Sequence, residues 1–179
     1  MIIGLTGPAR SGKSTVAHIL SAQGFKQVAF TDPFRTILLG LDPYVSAYMG
    51  TARLSDVVGH WGWEKCEESN EICRLLQVLS VGCRHVFGDE AMIAPVAAAI
   101  EADATGDWVV PDVRHPAEAG ALRSLGASIW RVHRPAHGPQ APHDGIEADA
   151  VVDNTSSLEA LAERVLGLYG LARCRELDG

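Results

Sequence analysis

The run Gly7-Pro8-Ala9-Arg10-Ser11-Gly12-Lys13-Ser14 constrains this chain more than any other feature. It matches the pattern GxxxxGK[ST] without a deviation. A short apolar run precedes it, Ile2-Ile3-Gly4-Leu5-Thr6, which predicts a buried strand. Val16, Ile19 and Leu20 then recur at helical spacing, and Gly24 marks the helix stop. Glycines let the backbone curl until successive N–H groups point at one anion. The helix that follows adds the positive end of its dipole. Lys13 supplies a mobile point charge for β- and γ-phosphates, and the Ser14 hydroxyl is placed to ligate Mg²⁺. The motif therefore implies a nucleoside triphosphate.

Charge sharpens that reading. Fifteen Lys and Arg stand against 22 Asp and Glu, a net charge of −7. An acidic chain does not coat itself in duplex nucleic acid, so any anion must be captured at one local positive site. Hydrophobic residues at 47% and charged residues at 21% exclude a disordered chain, and 179 residues predict one domain spanning 1–179. Cys66, Cys73, Cys83 and Cys174 form no CxxC pair and read as reduced thiols of a cytoplasmic protein. The seven histidines show no HExxH spacing, which argues against zinc. No basic leader and no apolar run of about 18 residues is present, so neither secretion nor a membrane partner is expected.

Further strands are predicted at Val28-Ala29-Phe30, at 108–110, at 128–132 and at 150–152, with helices at about 116–124 and 157–169. Strands alternating with helices imply right-handed βαβ units and a parallel sheet. Residues 33–105 carry little strand signal. The segments 74–79 and 92–100 read as helices, 41–62 reads as irregular, and the block is expected to be a largely helical insertion.

Several charged residues fall where such a sheet would place a site. Asp112 ends a strand and could hold Mg²⁺, or cap the turn before Pro116. Arg114 could face the transferring phosphate, or be solvated. Asp32 before Pro33 is either a helix N-cap or a carboxylate near the γ-phosphate. Arg131 and Arg134 are either lid arginines meeting developing charge or surface residues. Arg74, Gln77 and Arg84 share a helix face that could hold an acceptor's phosphate and base edge, or be solvated. Trp61 and Trp63 could stack on a base or belong to a core. An Asn-Lys-x-Asp guanine signature is absent, and Asp153-Asn154-Thr155 is the nearest approach to it. A small phosphotransferase fits these residues better than a guanine-specific switch or a large motor.

Six stretches together resemble the bacteriophage deoxynucleoside monophosphate kinases. They are Ile2–Gly7 with the phosphate loop, Phe30-Thr31-Asp32-Pro33-Phe34, Arg74-Leu75-Leu76-Gln77, the run from Val110 through Asp112-Val113-Arg114 to Ala119, Arg131-Val132-His133-Arg134-Pro135, and Val152-Asp153-Asn154-Thr155-Ser156-Ser157-Leu158. The last stretch is also similar to dephospho-coenzyme A kinases. The resemblance implies an α/β, three-layer P-loop kinase fold. Its five-stranded parallel sheet would have order 2-3-1-4-5, with an acceptor-binding insertion at about 33–105 and a lid at about 131–148. It implies transfer of the γ-phosphoryl of ATP, or dATP, to a deoxynucleoside 5′-monophosphate with Mg²⁺ held by Ser14 and Asp112. By that resemblance Gly7, Ala9, Arg10, Ser11, Gly12, Lys13, Ser14 and Thr15 hold the donor phosphates, and Asn154 lies near the donor's adenine or ribose. Asp32, Arg74, Gln77, Arg84, Asp112 and Arg114 fall to the acceptor. Lys13, Arg131, Arg134 and Asp32 act in transfer. The family often has Asn where Ala117 stands here, and His-x-Ser-Glu where His143-Asp144-Gly145-Ile146-Glu147 stands. Apolar residues on the 70–100 helices could form a homodimer face or core.

Overall fold

A computed structural model describes residues 1–47, 50–66, 68–135 and 145–177. Five strands form one parallel sheet: β1 (Ile2–Thr6), β2 (Lys26–Gln27), then, beyond a two-stranded hairpin, β5 (Trp108–Val110), β6 (Ser128–His133) and β7 (Ala150–Asp153). Their spatial order is β2-β5-β1-β6-β7, which is 2-3-1-4-5 when only the strands of this sheet are numbered. Ile3 sits beside Val109 on one side and Ser128 on the other.

The continuous apolar strands are explained by burial on both faces. Alternate side chains serve opposite layers. Ile3, Leu5, Val109, Trp130 and Val132 pack with α1 (Lys13–Ser21) and α7 (Leu158–Leu177), through Val16, Leu20, Leu161 and Val165. Trp108, Val110 and Ile129 pack with α6 (Pro116–Ser124) through Ala119 and Leu122, and with Val96 and Ile100. Gly4 faces this second layer, where an added Cβ would lie 2.7 Å from Ile129 Cδ1.

The chain divides into two compact units, Met1–Phe30 with Ile93–Gly179, and Thr31–Met92. The second has its own core of Phe34, Leu38, Val45, Leu54, Cys66, Ile72, Leu76 and Met92. It comprises α2 (Asp32–Leu41), a hairpin of β3 (Tyr44–Ala47) and β4 (Gly50–Arg53), α3 (Leu54–Cys66, broken at Gly62) and α4 (Asn70–Phe87). The start of α5 (Glu90–Glu101) belongs to it as well.

Three sequence expectations need correction. The second strand lies at Lys26–Gln27 rather than 28–30. Two exposed polar residues suffice at a sheet edge; the Val28 N–H still donates to the Val109 carbonyl at 3.3 Å, and two residues on the Phe30 N–H donates to Asp112 Oδ1 at 2.9 Å. The described residues of the 41–62 stretch form the hairpin and most of α3 rather than irregular chain, with Val45 the buried anchor and Arg53 stacked 4.4 Å from the Tyr44 ring. Around it the 33–105 block is largely helical, carrying α2, α3, α4 and α5. The last helix runs through Gly167 and Gly170, because Leu161, Val165, Leu168, Tyr169 and Ala172 keep one face on the core. Among the described residues, no helix is long and apolar enough to cross a membrane.

Candidate active site

The phosphate loop joins the buried end of β1 to α1. Its curl rests on left-handed backbone at Gly7 (φ 138°), Arg10 (φ 62°) and Gly12 (φ 103°). A Cβ on Gly7 would meet the Val132 carbonyl oxygen at 2.4 Å, and one on Gly12 would meet Asn154 Nδ2 at 2.3 Å. Both positions thus need glycine for space as well as for conformation. The Val16 N–H donates to the Gly12 carbonyl, starting the helical ladder. Ala9, Arg10 and Ser14 are exposed, Thr15 is half-buried, and Ser11 is buried.

The loop has the donor set of an anion cradle. Ser11 Oγ is buried and, among the described residues, has no hydrogen-bond partner. A buried hydroxyl costs free energy unless something meets it, and a phosphate oxygen would. Lys13 Nζ donates to the Gly7 and Pro8 carbonyls at 2.8 and 2.7 Å. Burial, helped by the Arg114 guanidinium and opposed by the Asp112 carboxylate, lowers its pKa to about 8. A bound polyanion would favour the charged form and raise it again.

Asp112 follows β5 and is 7% exposed, and its Oδ1 accepts the Phe30 N–H. It stands close enough to Lys13 to act on its charge, as does Arg114. These three groups, expected separately from sequence, lie in one electrostatic neighbourhood. Arg114 is exposed on a turn held by Glu118, which the sequence reading did not single out. Glu118 is 3% exposed and its Oε2 accepts the N–H groups of Arg114 (2.7 Å) and His115 (3.0 Å). Pro at the first helical position with Glu two residues later was the available signal.

Other candidates are placed differently from expectation. Arg131 lies inside β6 beside Thr6, and its Nη2 donates to the Ile146 carbonyl. That bond ties Ile146, which lies 15 residues on and in the same 131–148 segment, to the sheet. Arg134 is exposed just past the strand. Residues 136–144, half of the expected lid and including His143 and Asp144, lie outside the described residues. Asn154 Nδ2 donates to the Ser11 carbonyl at 2.8 Å, so its amide meets the loop backbone.

In the second unit, Asp32 is the first residue of α2 and the N-cap is Thr31. The Asp32 carboxylate accepts from Arg35 Nη1 at 2.7 Å, one helical turn away. Arg35 in turn lies 5.7 Å from the Trp63 ring, which packs on the core, whereas Trp61 is exposed. Arg74 and Gln77 are exposed on α4, and Arg84 is ion-paired with Asp89. Val78, Val81, Val86 and Phe87 on the same helix are exposed.

No family model matches this chain, and no curated protein does. Among solved structures it is similar to a gluconokinase from Sinorhizobium meliloti 1021, at 15% identity over 97% of this chain and 93% of that one, with a TM-score of 0.47. It is also similar to a dephospho-CoA kinase from Campylobacter jejuni, at 14% identity over 94% of this chain and 95% of that one, with a TM-score of 0.51. The second likeness, nearly end to end in both chains, shows the fold: a five-stranded parallel sheet between helices, the fold of a P-loop kinase.

Proposed function

We propose that this chain is an ATP-dependent phosphotransferase whose acceptor is a deoxynucleoside 5′-monophosphate. The observation that carries the phosphotransferase part is the glycine-curled loop with its buried, unmet Ser11 hydroxyl and Lys13 beside Asp112 and Arg114; the acceptor rests on the sequence resemblance alone. That donor set fits a polyphosphate tail. Ser14 and Asp112 are the residues that would hold Mg²⁺, which when bound supplies charge neutralisation at the phosphoryl oxygens. Lys13 orients and neutralises the tail, and Arg114 presents a guanidinium to the same region. Arg74 and Gln77 are the exposed pair assigned to acceptor phosphate and base. ATP or dATP is the donor.

A second reading is a kinase for dephospho-coenzyme A. The likeness to the Campylobacter jejuni enzyme favours it. A coupled ADP-release assay, run with ATP and dATP across the four deoxynucleoside monophosphates and dephospho-coenzyme A, separates the two. ADP release stimulated by one or more monophosphates is the expected result. Stimulation by dephospho-coenzyme A alone selects the second reading. ATP binding with no acceptor-stimulated release rejects both.

A further inference from the structure

We propose that Asn154 is a positioning residue that holds the phosphate loop in its anion-binding curl, an inference that rests on the phosphotransferase reading. Its Nδ2 donates to the Ser11 carbonyl at 2.8 Å. A peptide unit is planar and trans, so its C=O and the next N–H point to opposite sides. Capturing the Ser11 carbonyl therefore aims the Gly12 N–H away from Asn154, and that N–H becomes one of the loop's anion-facing donors. The same amide occupies the space a Cβ on Gly12 would need. One side chain thus fixes the peptide that turns the loop into α1.

Asn154 is itself firmly mounted. Its N–H donates to the His133 carbonyl at 2.7 Å, continuing the β6–β7 ladder by one residue. The preceding Asp153 carboxylate accepts the Thr155 hydroxyl at 2.9 Å and lies 3.3 Å from His133 Nδ1. The Asp153 carbonyl accepts from Arg164 Nη1 on α7. The strut therefore runs from the sheet and the last helix to the loop backbone. Alanine at 154 is too short to reach Ser11. Aspartate has the right size but presents an ionised acceptor to a carbonyl.

The test uses the full chain, with calorimetric titration of MgATP into wild type, Asn154→Asp and Asn154→Ala at pH 8 and at pH 4.5. The expected result is that both variants fold and bind MgATP at least about tenfold more weakly at pH 8, the scale on which a misplaced site loses up to about 100-fold. The Asn154→Asp deficit should shrink at pH 4.5, near the ordinary range of an aspartate, where a partly protonated carboxyl regains a donor, and the Asn154→Ala deficit should not. Binding by both variants within twofold of wild type overturns the inference and leaves the phosphotransferase reading standing. An Asn154→Asp deficit equal at both pH values also overturns it, since loss of a donor is then not the cause. A wild type that binds no MgATP overturns the phosphotransferase reading and the inference together. Should Asn154→Ala fail to fold, the near-isosteric Asn154→Asp decides alone.

Discussion

Lys13 shows how one residue proposed for the site can be costly to the fold. Its ammonium is held against two loop carbonyls in a partly desolvated place, and burial is the main reason its pKa falls to about 8. A base with a lowered folded pKa binds fewer protons folded than unfolded, so its penalty on stability is full below about pH 8 and lifts as pH rises toward its ordinary value near 10.5. Nucleotide-free wild type should therefore gain stability relative to Lys13→Met between about pH 8 and 10, read as the difference in denaturant midpoints. A flat difference would mean that the ammonium is already well solvated. Binding has the opposite sense. A polyphosphate favours the charged amine, so MgATP affinity should fall as pH rises through about 8, with proton uptake visible as a buffer-dependent heat of binding. Lys13→Ala should lose about 3–4 kcal/mol of transition-state stabilisation, as other preorganised charged donors do. Its melting temperature should not drop, because no core side chain is removed. Near-wild-type turnover in that variant would remove Lys13 from the mechanism.

At the scale of elements, the turn from β5 into α6 rests on a buried carboxylate. Glu118 meets two backbone N–H groups that the helix start leaves without intrahelical partners. Glu118→Ala removes the acceptor of both part-buried N–H groups, at about 1 kcal/mol each, and loosens the backbone that presents Arg114. We expect a lower urea midpoint together with a lower kcat. Glu118→Gln, which keeps an acceptor, should recover most of the stability, and equal loss in both variants would point to the charge rather than the hydrogen bonds. The strand–helix alternation around this turn was legible in the sequence because each element has its own period: apolar runs for strands buried on both faces, and spacings of three and four for α1 and α6. What was not legible depended on partners far along the chain. Lys26 and Gln27 carry no strand signal of their own and are strand only because β5 offers an edge, with the Lys26 N–H donating to the Asp107 carbonyl. Tyr44–Ala47 is strand because Val45 has a core to enter. Of the site, the loop was readable as a local motif, whereas the Arg131 bond to Ile146 and the Asn154 bond to Ser11 span 15 and 143 residues and leave no local trace.

The whole molecule has more than one hydrophobic centre, and this makes its cooperativity measurable. The core around Phe34, Leu54 and Ile72 shares no residue with the two that flank the sheet. Ile72 is 1% exposed and Leu5 is fully buried, so truncating either leaves a cavity worth about 2–5 kcal/mol. Compact units of this kind often open separately, each at its own free energy. Ile72→Ala should then reduce amide protection in α2 and α4 by roughly 30-fold or more, the equivalent of about 2 kcal/mol, while β1 and β6 keep theirs. Leu5→Ala should lower protection in the sheet first. Native-state hydrogen exchange on the two variants reads the difference directly. Equal loss everywhere in both would mean that the chain unfolds only as one body and that the second core has no stability of its own. A selective loss would mean that substitutions in the unit carrying Arg74 and Gln77 can be studied with the phosphate loop intact, so that an altered acceptor preference could be separated from a general loss of ATP binding.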